Sequence, residues 1–148
     1  MHADTTFSWN PGKQELALLA EGKLAVKDIP CLVLFMNAQE WEMVKDQQEE
    51  LIHEIPQIVV TNGGEGGWVY IHGKKELRFL GAQVKSIDDT GAGDAFATGY
   101  AAGQILQLHP RVSVEWGVRN ATSVIRYFGA QPGLLGREHI EGKVPSTL

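Results

Sequence analysis

The sequence holds a single cysteine, Cys31, among its 148 residues. One thiol cannot close an internal disulfide, which excludes a disulfide-stapled secreted module and suits a reducing compartment. Cys31 opens an apolar run, where a thiol behaves as a small hydrophobe, so a buried structural role is expected for it. Long hydrophobic stretches are lacking too. No run approaches the roughly 18 residues of a membrane-spanning helix, so no membrane partner is expected. Met1-His2-Ala3-Asp4 has no basic segment followed by an apolar one, so no secretory leader is read there and a cytoplasmic location is expected. Basic charge is scarce: the net charge is −5 and the 13 Lys and Arg residues are scattered. Without a basic stripe or interleaved aromatics, nucleic acid is not an expected partner. The histidines at positions 2, 53, 72, 109 and 139 lack metal-ligand spacing and read as surface or loop residues. No repeat, low-complexity tract or linker is visible, so residues 1–148 are expected to form a single domain.

What remains is an ordinary globular composition, 43% hydrophobic and 21% charged, with 17 glycines whose placement carries information. Thr5 to Trp9 reads as a strand broken by Asn10-Pro11-Gly12. Lys13 to Glu21 has helical spacing, and Leu24 to Asp28 suggests a short helix. Cys31 to Met36 is a continuous apolar run of the kind a parallel strand buried on both faces requires. Asn37 follows as an N-cap with Glu40 at capping-box spacing, and the helical pattern predicts one helix from there to Pro56, with Gln47 to Glu50 on a solvated face. Ile58 to Thr61 is the next buried strand. The turn Asn62 to Gly67 leads to a hairpin, Trp68 to Ile71 and Leu77 to Leu80, with its tip at His72 to Lys75. Trp9, Trp41, Trp68 and Trp116 are expected in or near the core. Gln83 to Ile87 reads as extended. Helices are expected from Ala92 to about Leu108, stopped by Pro110, and from about Val114 to Tyr127, followed by the loop Gly129 to Gly133 and a short frayed tail. Alternating buried strands and helices predict an α/β domain with a largely parallel sheet, whose ligands bind beyond the carboxyl ends of the strands. Asn10, Asn37 and Thr61 lie at such ends.

The segment Thr90-Gly91-Ala92-Gly93-Asp94 carries chemistry on its own terms. Small residues at 91 to 93 let a ligand approach the backbone closely. A helix beginning there leaves N–H groups without intrahelical partners, and with the helix dipole they favour a negatively charged group. Asp94 in the first turn could take a proton from a substrate hydroxyl lying between carboxylate and phosphate, while the N–H groups stabilise charge on a transferring phosphoryl group. A plain helix start with a stabilising Asp explains the same four residues.

The longer stretch Asp88-Asp89-Thr90-Gly91-Ala92-Gly93-Asp94 resembles the second signature of the ribokinase-like (PfkB-type) carbohydrate kinases, Asp-Thr-x-Gly-Ala-Gly-Asp. Asp89 and Thr98 depart from it, each standing where a smaller residue is common. Asn10-Pro11-Gly12, Asn37-Ala38-Gln39-Glu40, Thr61-Asn62-Gly63-Gly64-Glu65-Gly66 and Gly129-Ala130-Gln131-Pro132 resemble further family segments, in order and over nearly the whole chain. The resemblance implies a ribokinase-like α/β fold, a mostly parallel sheet flanked by helices. It implies Asp94 as catalytic base and Gly91, Ala92, Gly93 and Asp94 as anion hole. Asn37, Thr61, Gly63 and Gly66 would line ATP, Glu40 would belong to the Mg2+ network, and Asp88 with Thr90 and Gly129 would form a K+ loop. Glu40 can equally close a capping box with Asn37, and Gly63 and Gly66 can serve turn geometry alone.

Members of that family are longer, with first strands, a small β lid and most sugar contacts upstream of the segments matched here. The chain is therefore expected to be the C-terminal nucleotide-binding and catalytic part of such a kinase, with N-terminal strands and lid absent. It would phosphorylate a sugar or nucleoside hydroxyl from ATP. A missing N-terminal half, or another copy of the chain pairing at an open sheet edge, is the expected macromolecular partner. The alternative reading is a truncated, non-catalytic nucleotide-binding or interaction module, since an open site is poor at excluding water.

Overall fold

The computed structural model describes residues 7–81 and 83–142. The chain divides into two compact units, Met1–Gly81 and Ala82–Leu148.

The first unit is built on a mixed five-stranded sheet in sequential order: β1 (Phe7–Trp9), β2 (Cys31–Asn37), β3 (Gln57–Thr61), β4 (Gly67–Ile71) and β5 (Lys74–Phe79). β1, β2 and β3 run parallel, while β4 and β5 add an antiparallel hairpin. The parallel pairs need crossovers, supplied by α1 (Lys13–Ala20) and by α2 (Ala38–Met43) with α3 (Gln48–Glu54). The start expected at Thr5 lies outside the described residues, and the short helix expected at Leu24 to Asp28 is one 3-10 turn, Val26–Asp28. Leu34, Met36, Ile58 and Val60 alternate onto one face and form the core with Leu16, Leu19, Trp41, Val44 and Leu51. The intervening Val33, Phe35, Val59 and Val69 are buried as well, which accounts for the unbroken apolar runs. Cys31 is buried as expected, and burial pushes its thiol up to about 12.

One element differs from the sequence expectation. The single helix predicted between Asn37 and Pro56 is two helices separated by a 3-10 turn, Lys45–Gln47. Gln47 and Gln48 do not lie on a solvated face. Both are half-buried: the Gln47 side chain donates to the Ala20 carbonyl at 3.3 Å and the Gln48 side chain to the Trp41 carbonyl at 2.7 Å. A side chain that satisfies a carbonyl near the end of α2 stabilises the break, and an apolar pattern cannot report this.

The second unit contains α4 (Ala92–Ile105), α5 (Pro110–Val124) and the one-turn α6 (Arg137–Ile140). Pro110 does not merely stop α4. It is the first residue of α5, where its missing N–H costs nothing, and His109 caps that helix through Nδ1, accepting from the Arg111 N–H. Residues 83–87 form no strand. α4 and α5 approach closely at their glycines. A Cβ on Gly99 would stand 2.7 Å from the Trp116 carbonyl oxygen, and one on Gly117 would stand 2.9 Å from the Phe96 ring.

Candidate functional site

Each unit presents part of the predicted machinery. In the first, Asn37 ends β2 and caps α2 in a complete capping box. Its Oδ1 accepts from the Glu40 N–H at 2.9 Å, and Glu40 Oε2 accepts from the Asn37 N–H at 2.8 Å. One carboxylate oxygen of Glu40 is thus engaged at the helix start. Thr61 pairs with Asn37 across the parallel β2–β3 ladder, so both sit at the carboxyl edge of the sheet.

The turn after Thr61 is held from within. The Asn62 N–H donates to the Gly66 carbonyl at 2.7 Å, and the Asn62 side chain donates to Glu65 Oε2 at 2.6 Å. Its glycines serve different ends. Gly63 has φ of 50° with open space where a Cβ would lie, so a ligand can approach its backbone. Gly66 has φ of 94°, and a Cβ there would collide with the Phe79 carbonyl, so Gly66 is required by the packing of the turn on β5. Gly81, which sequence reasoning passed over, supports the same turn. A Cβ on it would come within 2.6 Å of the Gly63 and Gly64 carbonyl oxygens.

In the second unit the Asp88 carboxylate organises two loops. Oδ1 accepts from the Thr90 N–H and Oδ2 from the Gly129 N–H, each at 2.9 Å. Hydrogen bonds from the Thr90 side chain, then from the Gly129 and Thr90 N–H groups, hold its carboxyl below the ordinary carboxylate range. Asp88, Thr90 and Gly129 are therefore in direct contact. Gly91 follows with φ of 79°, a left-handed conformation that favours glycine, and a Cβ there would lie 2.6 Å from Ala130 Cβ. α4 opens at Ala92 with no side-chain cap, and the Ala92 N–H donates to the Asp89 carbonyl at 3.2 Å; a helix start of this kind favours a negatively charged group. Gly93 faces open space, and Asp94 is exposed in the first turn. The Thr98 hydroxyl donates to the Asp94 carbonyl at 2.8 Å, so this departure from the resembled pattern is absorbed within the helix. Asp89 is exposed.

Asn120 is a residue that sequence reasoning missed. It is 2% exposed on α5. Its Nδ2 donates to the Ala95 carbonyl at 2.8 Å, and its Oδ1 accepts from the Leu135 N–H at 2.9 Å. It thereby fastens the residue after Asp94 to the segment that follows the Gly129 loop. The available signal was a polar residue at helical spacing between Trp116 and Val124.

The donor sets fit the ions the resemblance implies. Among the described residues no group of three or more His, Cys, Asp or Glu side chains could cage a metal. Mg2+ does not need such a cage, since it keeps waters and leans on substrate phosphates. Asp88 offers an ionised carboxylate beside the Gly129 loop, which suits a weakly held monovalent cation.

Comparison with known proteins supplies the context. The model of the pfkB family carbohydrate kinases matches residues 23–135. A ribokinase of Lactococcus lactis is 32% identical over 115 residues, covering 77% of this chain and 35% of its own. A nucleoside kinase of Methanocaldococcus jannaschii, described as an archaeal member of the ribokinase family, superposes with a TM-score of 0.81 at 23% identity, over 95% of this chain and 48% of its own. An Escherichia coli structure named as a ribokinase II, in complex with ATP and Mg2+, gives a TM-score of 0.75 at 16% identity over 91% of this chain and 47% of its own. The chain spans 23% to 35% of the length of four curated relatives.

Proposed function

The chain belongs to the pfkB family of carbohydrate kinases, and on that premise we propose that it carries the nucleotide-binding and catalytic part of an ATP-dependent kinase acting on a sugar or nucleoside hydroxyl. The observation that carries this reading is the opening of α4. A left-handed Gly91, a first turn without a side-chain cap, open space at Gly93 and an exposed Asp94 occur together within four residues. Uncapped N–H groups at a helix start stabilise charge on a transferring phosphoryl group, and an adjacent carboxylate accepts the proton of the attacking hydroxyl.

In this reading Gly91 to Asp94 form the anion hole and Asp94 is the base. Thr61 and Gly63 meet the nucleotide, Gly66 sets the shape of that turn, and Asn37 presents its polar edge beside Thr61. Glu40 and Asn37 belong to the water network around Mg2+, which when bound neutralises charge on the phosphates. Asp88, Thr90 and Gly129 hold a K+ ion, and even without one they keep the Gly129 loop against the signature. The chain covers only part of its relatives, so residues outside it would supply substrate contacts.

The test is phosphoryl transfer to a panel of sugars and nucleosides, with Asp94→Asn as the variant and ATP affinity measured in parallel. Loss of a general base costs about a hundredfold or more in turnover and should leave ATP affinity near wild type. Turnover unchanged in Asp94→Asn would remove the base assignment. Nucleotide binding without transfer to any acceptor, by the chain supplied with its N-terminal portion, would favour the binding-module alternative.

A further inference from the structure

The four residues proposed as anion hole and base stand between two ties, and Asn120 makes the second. Ahead of them, the Asp88 carboxylate joins the Thr90 N–H to the Gly129 N–H, each at 2.9 Å, and Gly91 lies against Ala130. Behind them, Asn120 Nδ2 donates to the Ala95 carbonyl at 2.8 Å, and its Oδ1 accepts from the Leu135 N–H at 2.9 Å. Both ties reach the segment that begins at Gly129. That segment is seated on α5 at Gly133, where a Cβ would stand 2.6 Å from the Ser123 carbonyl oxygen.

Packing of α4 on α5 does not by itself fix where the first turn of α4 stands. Apolar contact such as that of Gly117 with the Phe96 ring has no direction. Hydrogen bonds have direction, and they join the two helices near both ends of α4. Gln104 Nε2 donates to Ser113 Oγ at 2.8 Å at one end, and Asn120 donates to the Ala95 carbonyl at the other. Asn120 is 2% exposed. Burying an amide costs more than burying an apolar side chain of its size, so burial alone does not account for asparagine here. A buried polar group whose partners are in place instead specifies one arrangement. Ala95 directly follows Asp94, so any turn or slide of this part of α4 carries Asp94 with it.

We propose, resting on the kinase reading of that turn, that Asn120 is a positioning residue for phosphoryl transfer. It holds the first turn of α4 at the height and rotation at which Gly91 to Asp94 meet the reacting groups. Its two bonds go to backbone groups, so it acts through Asp94 and not on the substrate. A misplacement of about 1 Å costs about a hundredfold in rate. Thr61 and Gly63, which meet the nucleotide in the same reading, belong to the first unit and make no bond to Asn120, so ATP affinity should hold while turnover falls.

The test compares three variants. Asn120→Leu keeps the bulk and removes the direction, and Asn120→Ala removes both. Val124→Ala opens a cavity at a fully buried position of the same helix, and so reports what loss of packing alone does. Each is assayed as the chain supplied with its N-terminal portion, at a temperature where circular dichroism shows it fully folded; where one Asn120 variant fails to fold, the other decides. In the Asn120 variants kcat should fall about tenfold or more with KM for ATP within about threefold. In Val124→Ala kcat should stay within about threefold of wild type. The amide proton–nitrogen signals of Gly91 to Asp94 should move in Asn120→Leu and hold in Val124→Ala. Near-wild-type kcat in a folded Asn120 variant, or an equal loss in Val124→Ala, overturns the positioning role and leaves the kinase reading standing. If the wild-type chain transfers no phosphoryl group, the kinase reading fails, and the amide signals decide whether Asn120 sets the turn: signals that do not move in Asn120→Leu overturn that as well.

Discussion

Replacing Asn120 by alanine tests whether the start of α4 is held from behind. The side chain is 2% exposed and makes two hydrogen bonds, at 2.8 Å to the Ala95 carbonyl and at 2.9 Å from the Leu135 N–H. The two losses are unequal. The Ala95 carbonyl lies inside a helix and keeps its ladder bond, so it forfeits only the net worth of an added bond, about 1 kcal/mol. The Leu135 N–H loses the partner seen here in a partly buried place, which costs about 1–2 kcal/mol. Together Asn120→Ala should destabilise α4 and α5 by about 2–3 kcal/mol. Hydrogen exchange on peptides from both helices reads this directly: protection should fall by about 30- to 150-fold, since 1.4 kcal/mol is tenfold. Thr98→Ala, which removes only an exposed bond to the Asp94 carbonyl, is the control and should stay within about 0.5 kcal/mol. Protection in Asn120→Ala within about threefold of wild type would refute the assignment of these bonds as structural.

Gly91→Ala and Gly93→Ala should part company. The first meets Ala130 from a left-handed backbone and should lose about 1–3 kcal/mol in denaturant titration. The second enters open space and should hold or gain up to about 1 kcal/mol through helix propensity, while phosphoryl transfer falls because the methyl occupies the proposed anion site. The Asp88 carboxyl titrates lower in the folded chain than unfolded, so its stabilisation is complete above its ordinary range and is lost as pH falls through the folded value. Asp88→Asn should therefore be less stable than wild type at neutral pH, and the gap should close in acid; a gap that persists there contradicts the carboxylate role. Cys31, raised to about 12 by burial, should resist a thiol reagent at pH 8 in the native chain and react promptly in denaturant.

The parts of the fold legible in the sequence were those written by local chemistry. The capping box at Asn37 and Glu40 is a spacing that the structure reproduces bond for bond, and the apolar runs 31–36 and 58–61 form the buried strands. Asp88 and Gly129 were linked only by the family resemblance, as parts of a K+ loop, because no local rule joins residues 41 positions apart. What stayed hidden depends on polar partners that an apolar pattern does not report. The break between α2 and α3 is stabilised by Gln47 reaching Ala20. Pro110, read as a stop, serves as a start because His109 ahead of it caps the helix.

The crossing of α4 over α5 also bears on how this chain can vary. Gly99 lies against the backbone of Trp116 and Gly117, whereas Gly103 faces Ser113 and Gly117 faces the Phe96 ring, so at Gly99 the separation of the two helices is set by atoms that no side-chain substitution can trim. A methyl added at Gly99 must push the helices apart, whereas one at Gly103 or Gly117 would be partly offset by a smaller residue at Ser113 or Phe96. Drift should therefore collect on the outward positions of α4, such as exposed Ile105, while the inner line stays fixed. A sequence library selected for folding alone, with no demand for activity, should recover Gly99 most strictly, with changes at Gly103 and Gly117 coupled to changes at Ser113 and Phe96.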